Sequence, residues 1–138
     1  MREMYVENID LSFEDLRNQL KNSSSLGYAR INFHGDPSRI LHLSLICLRP
    51  YTSIVWHKSS EQKPAFYQVL SGELELVIAE IQDAEAASLY HLSGISNPVK
   101  ISASRWRRLT NKSKDPVFYL ETCLGPHKKN STLWNQKG

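Results

Sequence analysis

Residues 54–72, IVWHKSSEQKPAFYQVLSG, carry one imidazole, His57, at the end of an apolar run, followed by Ser59, Lys63 and Tyr67. A neutral imidazole serves as a metal ligand or as a general base near neutral pH. Further on, SRWRRLTN supplies Arg105 and Arg107. Guanidinium forks of this kind hold carboxylate or phosphate through paired charge-assisted hydrogen bonds. Glu121, in VFYLETCL, is the one carboxylate deep within a late apolar run. A transition ion needs at least three good imidazole, carboxylate or thiolate ligands. His57 alone does not meet that need. Serine is a poor ligand, alanine at position 65 binds nothing, and a fixed cation at Arg107 repels a metal.

Other chemistries find less support. There is no G-x-S-x-G elbow, phosphate-binding loop or dinucleotide fingerprint in the chain. Cys47 and Cys123 lie in apolar runs, where a thiol is inert, and buried free thiols are the expectation rather than a disulfide. The 138 residues fit one domain, with 41% hydrophobic and 22% charged residues. A net charge of +3 with scattered basic residues suits a small anion and offers no stacked-aromatic, basic stripe for nucleic acid. No apolar run approaches the roughly 18 residues of a membrane span, and MREMYVENIDLSF lacks the apolar stretch of a leader, so a cytoplasmic location is expected.

The elements that must position these side chains follow from periodicity. SFEDLRNQLKN, residues 12–22, predicts a helix capped by Ser12, with Phe13, Leu16 and Leu20 on one face. From Tyr28 onward the pattern predicts strands at 28–33, 40–48, 52–58, 65–71, 73–81, 87–92, 98–103, 105–111 and 117–124. Ser71-Gly72 marks a hairpin, and residues 80–90 are placed as a loop between strand ends. The expected organisation is an N-terminal helical segment, 1–27, and a β-barrel or sandwich, 28–138. With His57 facing the barrel interior, alternation adds Val55, Ser59, Ala65, Tyr67, Val69, Arg105, Arg107 and Leu109 to the same lining. The competing arrangement turns Trp106 inward and Arg107 out. His42 and His91 are placed at the strand or turn surface.

The spacing resembles the first cupin motif: Gly, five residues, His-x-His, three or more residues, Glu, six residues, Gly. Tyr51 stands at the first glycine, His57 at the first histidine, Ser59 at the second, Ala65 at the glutamate and Gly72 at the last glycine. Arg107 and Asn111 match the His and Asn of the second motif. Residues 28–138 further resemble the WbuC family of small cupins associated with O-antigen and surface-polysaccharide gene clusters. The matching segments are RINFH (Arg30, Asn32, His34), LRPYTSIVWHKS, LSGELEL, ISASRWRRL and ETCLGPH…W, the last with Glu121, Gly125, Pro126 and Trp134. The resemblance implies an all-β cupin jelly roll with a short N-terminal helix.

The framework is kept while three of four metal ligands are replaced, so no cofactor is expected. The pocket is expected to hold a small anionic sugar or sugar nucleotide with His57, Ser59, Lys63, Tyr67, Arg105, Arg107 and Glu121, and the protein to form a homodimer. Three alternatives compete. The first is a metal-independent sugar-nucleotide isomerase or epimerase with His57 as base and Tyr67 as acid. The second is a divalent-metal protein with relocated ligands His57, His34 and Glu121. The third is a dimerisation or scaffold module.

Overall fold

Ten short strands and one helix account for the regular structure in a computed structural model that describes residues 9–22, 27–33, 40–59, 63–80, 87–102, 105–124 and 132–134. Helix α1 spans Ile9–Asn22. The strands are β1 Tyr28–Asn32, β2 Leu41–Leu48, β3 Thr52–Ser59, β4 Ala65–Ser71, β5 Glu73–Ala79, β6 Ser88–Ser93, β7 Val99–Ile101, β8 Trp106–Asn111, β9 Val117–Leu124 and β10 Thr132–Trp134. They form two five-stranded antiparallel sheets, in the order β1-β2-β9-β4-β7 and β10-β3-β8-β5-β6. All nine sequence-predicted strands are present. The helix begins three residues before the expected cap, so Ser12 lies inside its first turns. Nothing in Ile9-Asp10-Leu11 opposes helix.

Alternation along each strand separates two apolar layers. Even-numbered residues of β2 (Ile46, Leu48) join Ile54, Val69, Leu76, Leu109 and Tyr119 in the core between the sheets. Odd-numbered ones (Leu45, Cys47) face the other way, onto Leu16 and Leu20 of α1. Phe13 seals that outer layer by stacking on Phe118, ring centroids 4.2 Å apart. Arg49 donates to the Leu20 carbonyl, satisfying one acceptor that the end of α1 leaves open.

The second sheet carries Trp56, Val77 and Ala79 on its outer face, with Trp106 beside them. Lys58 lies 4.8 Å over the Trp106 ring and Arg108 lies 5.2 Å over Trp56. Trp106 therefore points outward, and its neighbour Arg107 inward. The arrangement with indole in and guanidinium out does not occur.

Two joints hold the ends of the strands. Gly72 turns the β4–β5 hairpin at φ +93°, a left-handed conformation that a side chain would strain. Asn111 is fully buried, and its amide donates to the Leu48 and Asp115 carbonyls at 3.2 and 2.7 Å while accepting from Ser113. The asparagine of the second motif thus pins the turn before β9 to the end of β2.

Candidate anion-binding site

Residues directly opposite each other on antiparallel strands share a face. Register therefore lays out the inner wall of the first sheet in three rows. One is Arg30–Ile46–Tyr119–Val69, the next Asn32–Ser44–Glu121–Tyr67, and the last His42–Cys123–Ala65. On the facing sheet, Trp134, His57 and Arg107 lie side by side. The apolar rows thus give way to polar ones toward one end of the barrel.

A bulge places His57. Ile54 pairs with Leu109 and His57 with Arg107, so one extra residue sits in β3 between them. Parity shifts, and Ile54 and His57 both face inward. The Val55 carbonyl accepts from His57 Nδ1 at 2.8 Å. That bond puts the proton on Nδ1 and leaves the lone pair on Nε2. The Trp134 ring stacks on the imidazole, centroids 4.8 Å apart.

Four more side chains join in a directional chain. Arg107 Nη1 donates to the Tyr67 hydroxyl at 3.4 Å, and that hydroxyl donates to Glu121 Oε2 at 2.7 Å. Arg30 Nη2 reaches Glu121 Oε1 from the other side at 3.3 Å. Arg107 is only 4% exposed, its remaining bond to the Arg105 carbonyl is long at 3.5 Å, and its Nε–H has no hydrogen-bond partner. Two guanidiniums meet one carboxylate here, an excess of one positive charge.

Titration behaviour follows from this packing. For Glu121, burial pushes the carboxyl pKa up, but Arg30, the Tyr67 hydrogen bond, His57 and Arg107 outweigh it and hold the group below its ordinary value. Burial and the Glu121 charge raise the Tyr67 phenol against the opposition of Arg107. Tyr67 therefore keeps its proton. Burial lowers the His57 imidazole, with Arg107 and Arg30 reinforcing it and the Val55 bond and Glu121 opposing. Burial raises Cys123 to about 11 and Cys47 to about 12, so both stay thiols at neutral pH.

The depressed imidazole makes stability depend on pH. The unfolded chain takes up the His57 proton first, so the contribution is whole above the ordinary value of 6.5 and falls as pH drops from there through the folded value. Glu121, depressed from 4.5, adds a second loss at lower pH. Urea midpoints between pH 7.5 and 5 are expected to fall more steeply in the native protein than in His57→Gln. Parallel profiles would show that the imidazole is not shifted.

Of the sequence-predicted pocket residues, the structure brings together His57, Tyr67, Arg107 and Glu121. Arg105 precedes β8, and its side chain turns instead to Glu80 at 3.4 Å, 43% exposed. Lys63 is half-buried and close enough to Cys123 to act on its charge. Ser59 ends β3, with its side chain outside the described residues. His34, His127, Gly125 and Pro126 also lie outside them. His42 corrects the expected surface placement, since it is 5% exposed on the inner wall opposite Cys123. Cys47 and Cys123 form no disulfide and lie on opposite faces of one sheet. Arg30, Asn32, Ser44 and Trp134 are missing from the residue-by-residue prediction, although RINFH and the final tryptophan carry part of the family resemblance.

Among the described residues no three His, Cys, Asp or Glu side chains converge as metal ligands. His57 and Glu121 lie near enough to act on each other's charge, with the Arg30 and Arg107 guanidiniums beside them, and Ala65 occupies the glutamate position of the motif. This donor set does not fit a transition ion.

No protein-family model matches the sequence, and no curated protein matches it either. Solved structures do. The capsular polysaccharide assembling protein CapF from Staphylococcus aureus superposes with a TM-score of 0.67 at 17% identity, over 81% of this chain and 33% of that one. The Cupin_2 domain of an XRE-family transcriptional regulator from Enterobacter cloacae gives 0.56 at 18%, over 74% of this chain and 100% of that one. The fold is a cupin jelly roll. Lactobacillus farciminis oxalate decarboxylase, in a formate complex, adds a TM-score of 0.63 at 14% identity, over 80% of this chain and 31% of that one. The chain spans about a third of the length of the CapF and decarboxylase chains that it matches. No described helix of this cupin fold is long and apolar enough to cross a membrane.

Proposed function

We propose that the cupin barrel binds a small anionic, saccharide-related ligand without the usual cupin metal, with Arg107 as the anion's partner. The observation that carries this is the buried Arg107 guanidinium, whose Nε–H has no partner and whose other bonds are long. A buried donor left unpaired costs free energy unless a ligand satisfies it. The excess of one guanidinium over carboxylate selects an anion, and desolvation strengthens the attraction. A place in surface-polysaccharide metabolism is supported by the CapF likeness, and O-antigen assembly by the WbuC-like segments; a cytoplasmic location is part of the same proposal.

Calorimetric titration with glucuronate, glucose 1-phosphate and UDP-glucose is the test. At least one of these anions is expected to bind while glucose does not, and Arg107→Leu is expected to weaken binding by at least about tenfold. Equal binding of neutral glucose, or no binding of any anion, would overturn the reading.

One observation favours a second reading. The Val55 carbonyl fixes the tautomer that leaves His57 Nε2 basic, and the lowered pKa keeps the ring neutral. That suits proton abstraction beside a ketone in a sugar isomerase or epimerase. Tyr67 does not complete such a pair as acid, because its proton is held by Glu121. Deuterium incorporation next to the carbonyl of a nucleotide-sugar ketone, lost in His57→Ala, would establish this activity.

A further inference from the structure

A second polar group in the barrel lacks a partner. Asn32 is 5% exposed on the same inner row as Ser44, Glu121 and Tyr67. Ser44 Oγ donates to Asn32 Oδ1 at 2.5 Å, and Asn32 Nδ2 is buried with no hydrogen bond. Asn32 Nδ2 and Arg107 Nε are thus two orphaned donors on facing sheets, linked through the row Asn32–Ser44–Glu121–Tyr67 and the Arg107–Tyr67 hydrogen bond. Strand spacing puts Asn32 about 10 Å from Glu121, since two ladders of roughly 4.8 Å separate them. One sugar ring with a hydrogen bond at each side bridges such a span.

Charge narrows the ligand further. Within the hydrogen-bonded group, Arg30 and Arg107 against Glu121 leave one net positive charge, which a monocarboxylate neutralises. A phosphate dianion would overshoot it and bring its second charge against Glu121. Glu121 accepts hydrogen bonds and Asn32 Nδ2 donates one, a pairing that suits hydroxyls, which do both.

Resting on the anion-pocket reading, we infer that the ligand is a sugar monocarboxylate of the hexuronate type. Its carboxylate sits on Arg107 and its ring hydroxyls lie between Glu121 and Asn32. Asn32 is then a specificity-determining residue, and its unsatisfied amide lowers the stability of the empty barrel in exchange for recognition.

Titrations of the full chain with sodium glucuronate, glucose 1-phosphate and glucose test this, using wild type, Asn32→Leu and Asn32→Asp. Glucuronate is expected to bind at least about tenfold more tightly than glucose 1-phosphate, with glucose silent. Asn32→Leu, which keeps the branched four-atom shape, is expected to weaken glucuronate about tenfold while the melting temperature holds or rises. Asn32→Asp cancels the excess charge and is expected to abolish anion binding, which covers a failure of the leucine variant to fold. Glucose 1-phosphate binding as tightly as glucuronate, with loss in Arg107→Leu, would overturn the uronate inference and leave the anion pocket standing. Unchanged glucuronate affinity in Asn32→Leu would likewise remove Asn32 from recognition. Silence from both anions would overturn both.

Discussion

Glu121→Leu is expected to lower the free energy of unfolding by about 3 kcal/mol, the cost of removing one partner from a buried ionic cluster. The loss falls mainly on the Arg107 side. Arg30 is 36% exposed at its side chain and relaxes into water, whereas Arg107 is 4% exposed and stays in the barrel with no counter-charge. The Tyr67 hydroxyl also loses its acceptor. Glu121→Gln keeps the shape and an acceptor oxygen, and is expected to cost about half as much. It also removes a negative charge from the pocket, so it is expected to tighten glucuronate binding. Urea denaturation with unchanged slope and a shifted midpoint checks the first effect. A leucine variant as stable as the native protein would mean that the cluster is better solvated than its burial indicates.

Gly72→Ala is the second large effect, and it acts far from any ligand. Gly72 has φ +93°, and a Cβ there would lie 2.8 Å from the Pro116 carbonyl oxygen and 2.9 Å from Val117 Cα. Both are backbone atoms at the start of β9 and cannot swing away as a side chain would. A left-handed non-glycine residue costs about 1–2 kcal/mol, and overpacking adds about 1–3 kcal/mol. The sum, about 3 kcal/mol, corresponds to a fall of roughly 10 °C in melting temperature for a domain of this size. A melting curve superimposable on that of the native protein would show that the β4–β5 turn moves off β9 at little cost.

Much of the fold was legible because its signals are local. Short runs rich in Val, Ile, Leu, Tyr and Phe between turn residues marked nine strands, and Ser71-Gly72 marked the hairpin that Gly72 turns. Tyr51 shows how a motif position keeps its geometry after losing its residue. It stands where the motif has glycine and adopts φ +55°, the conformation glycine favours. Strand β10 carried no such signal. All three of its residues are exposed, so no apolar period marks it, yet it brings Trp134 onto His57.

The site was legible in types more than in placement. Tyr67 and Arg107 converge as alternation suggests, and Glu121 joins them from the late apolar run, but alternation alone left Trp106 and Arg107 interchangeable. The outer face of the second sheet decides between them, since it offers Trp106 an apolar bed and the Lys58 cation. The bulge between Ile54 and His57 was invisible, because an inserted residue leaves the hydrophobic pattern intact while reversing parity beyond it. His42 and Ser44 had a readable signal in LHLSLICL. They share even positions with Ile46 and Leu48, and so the inner wall. Arg105 failed because it precedes the strand whose period was applied to it.

The central claim is that Arg107 waits, buried and under-bonded, for an anion. The most direct measurement is nitrogen-15 NMR of the arginine Nε–H groups, with Arg107 assigned by its loss in Arg107→Lys. As glucuronate or glucose 1-phosphate is added, the Arg107 Nε–H signal is expected to move progressively and saturate, while neutral glucose leaves it in place. A signal unmoved by every sugar anion at saturating concentration would contradict the account.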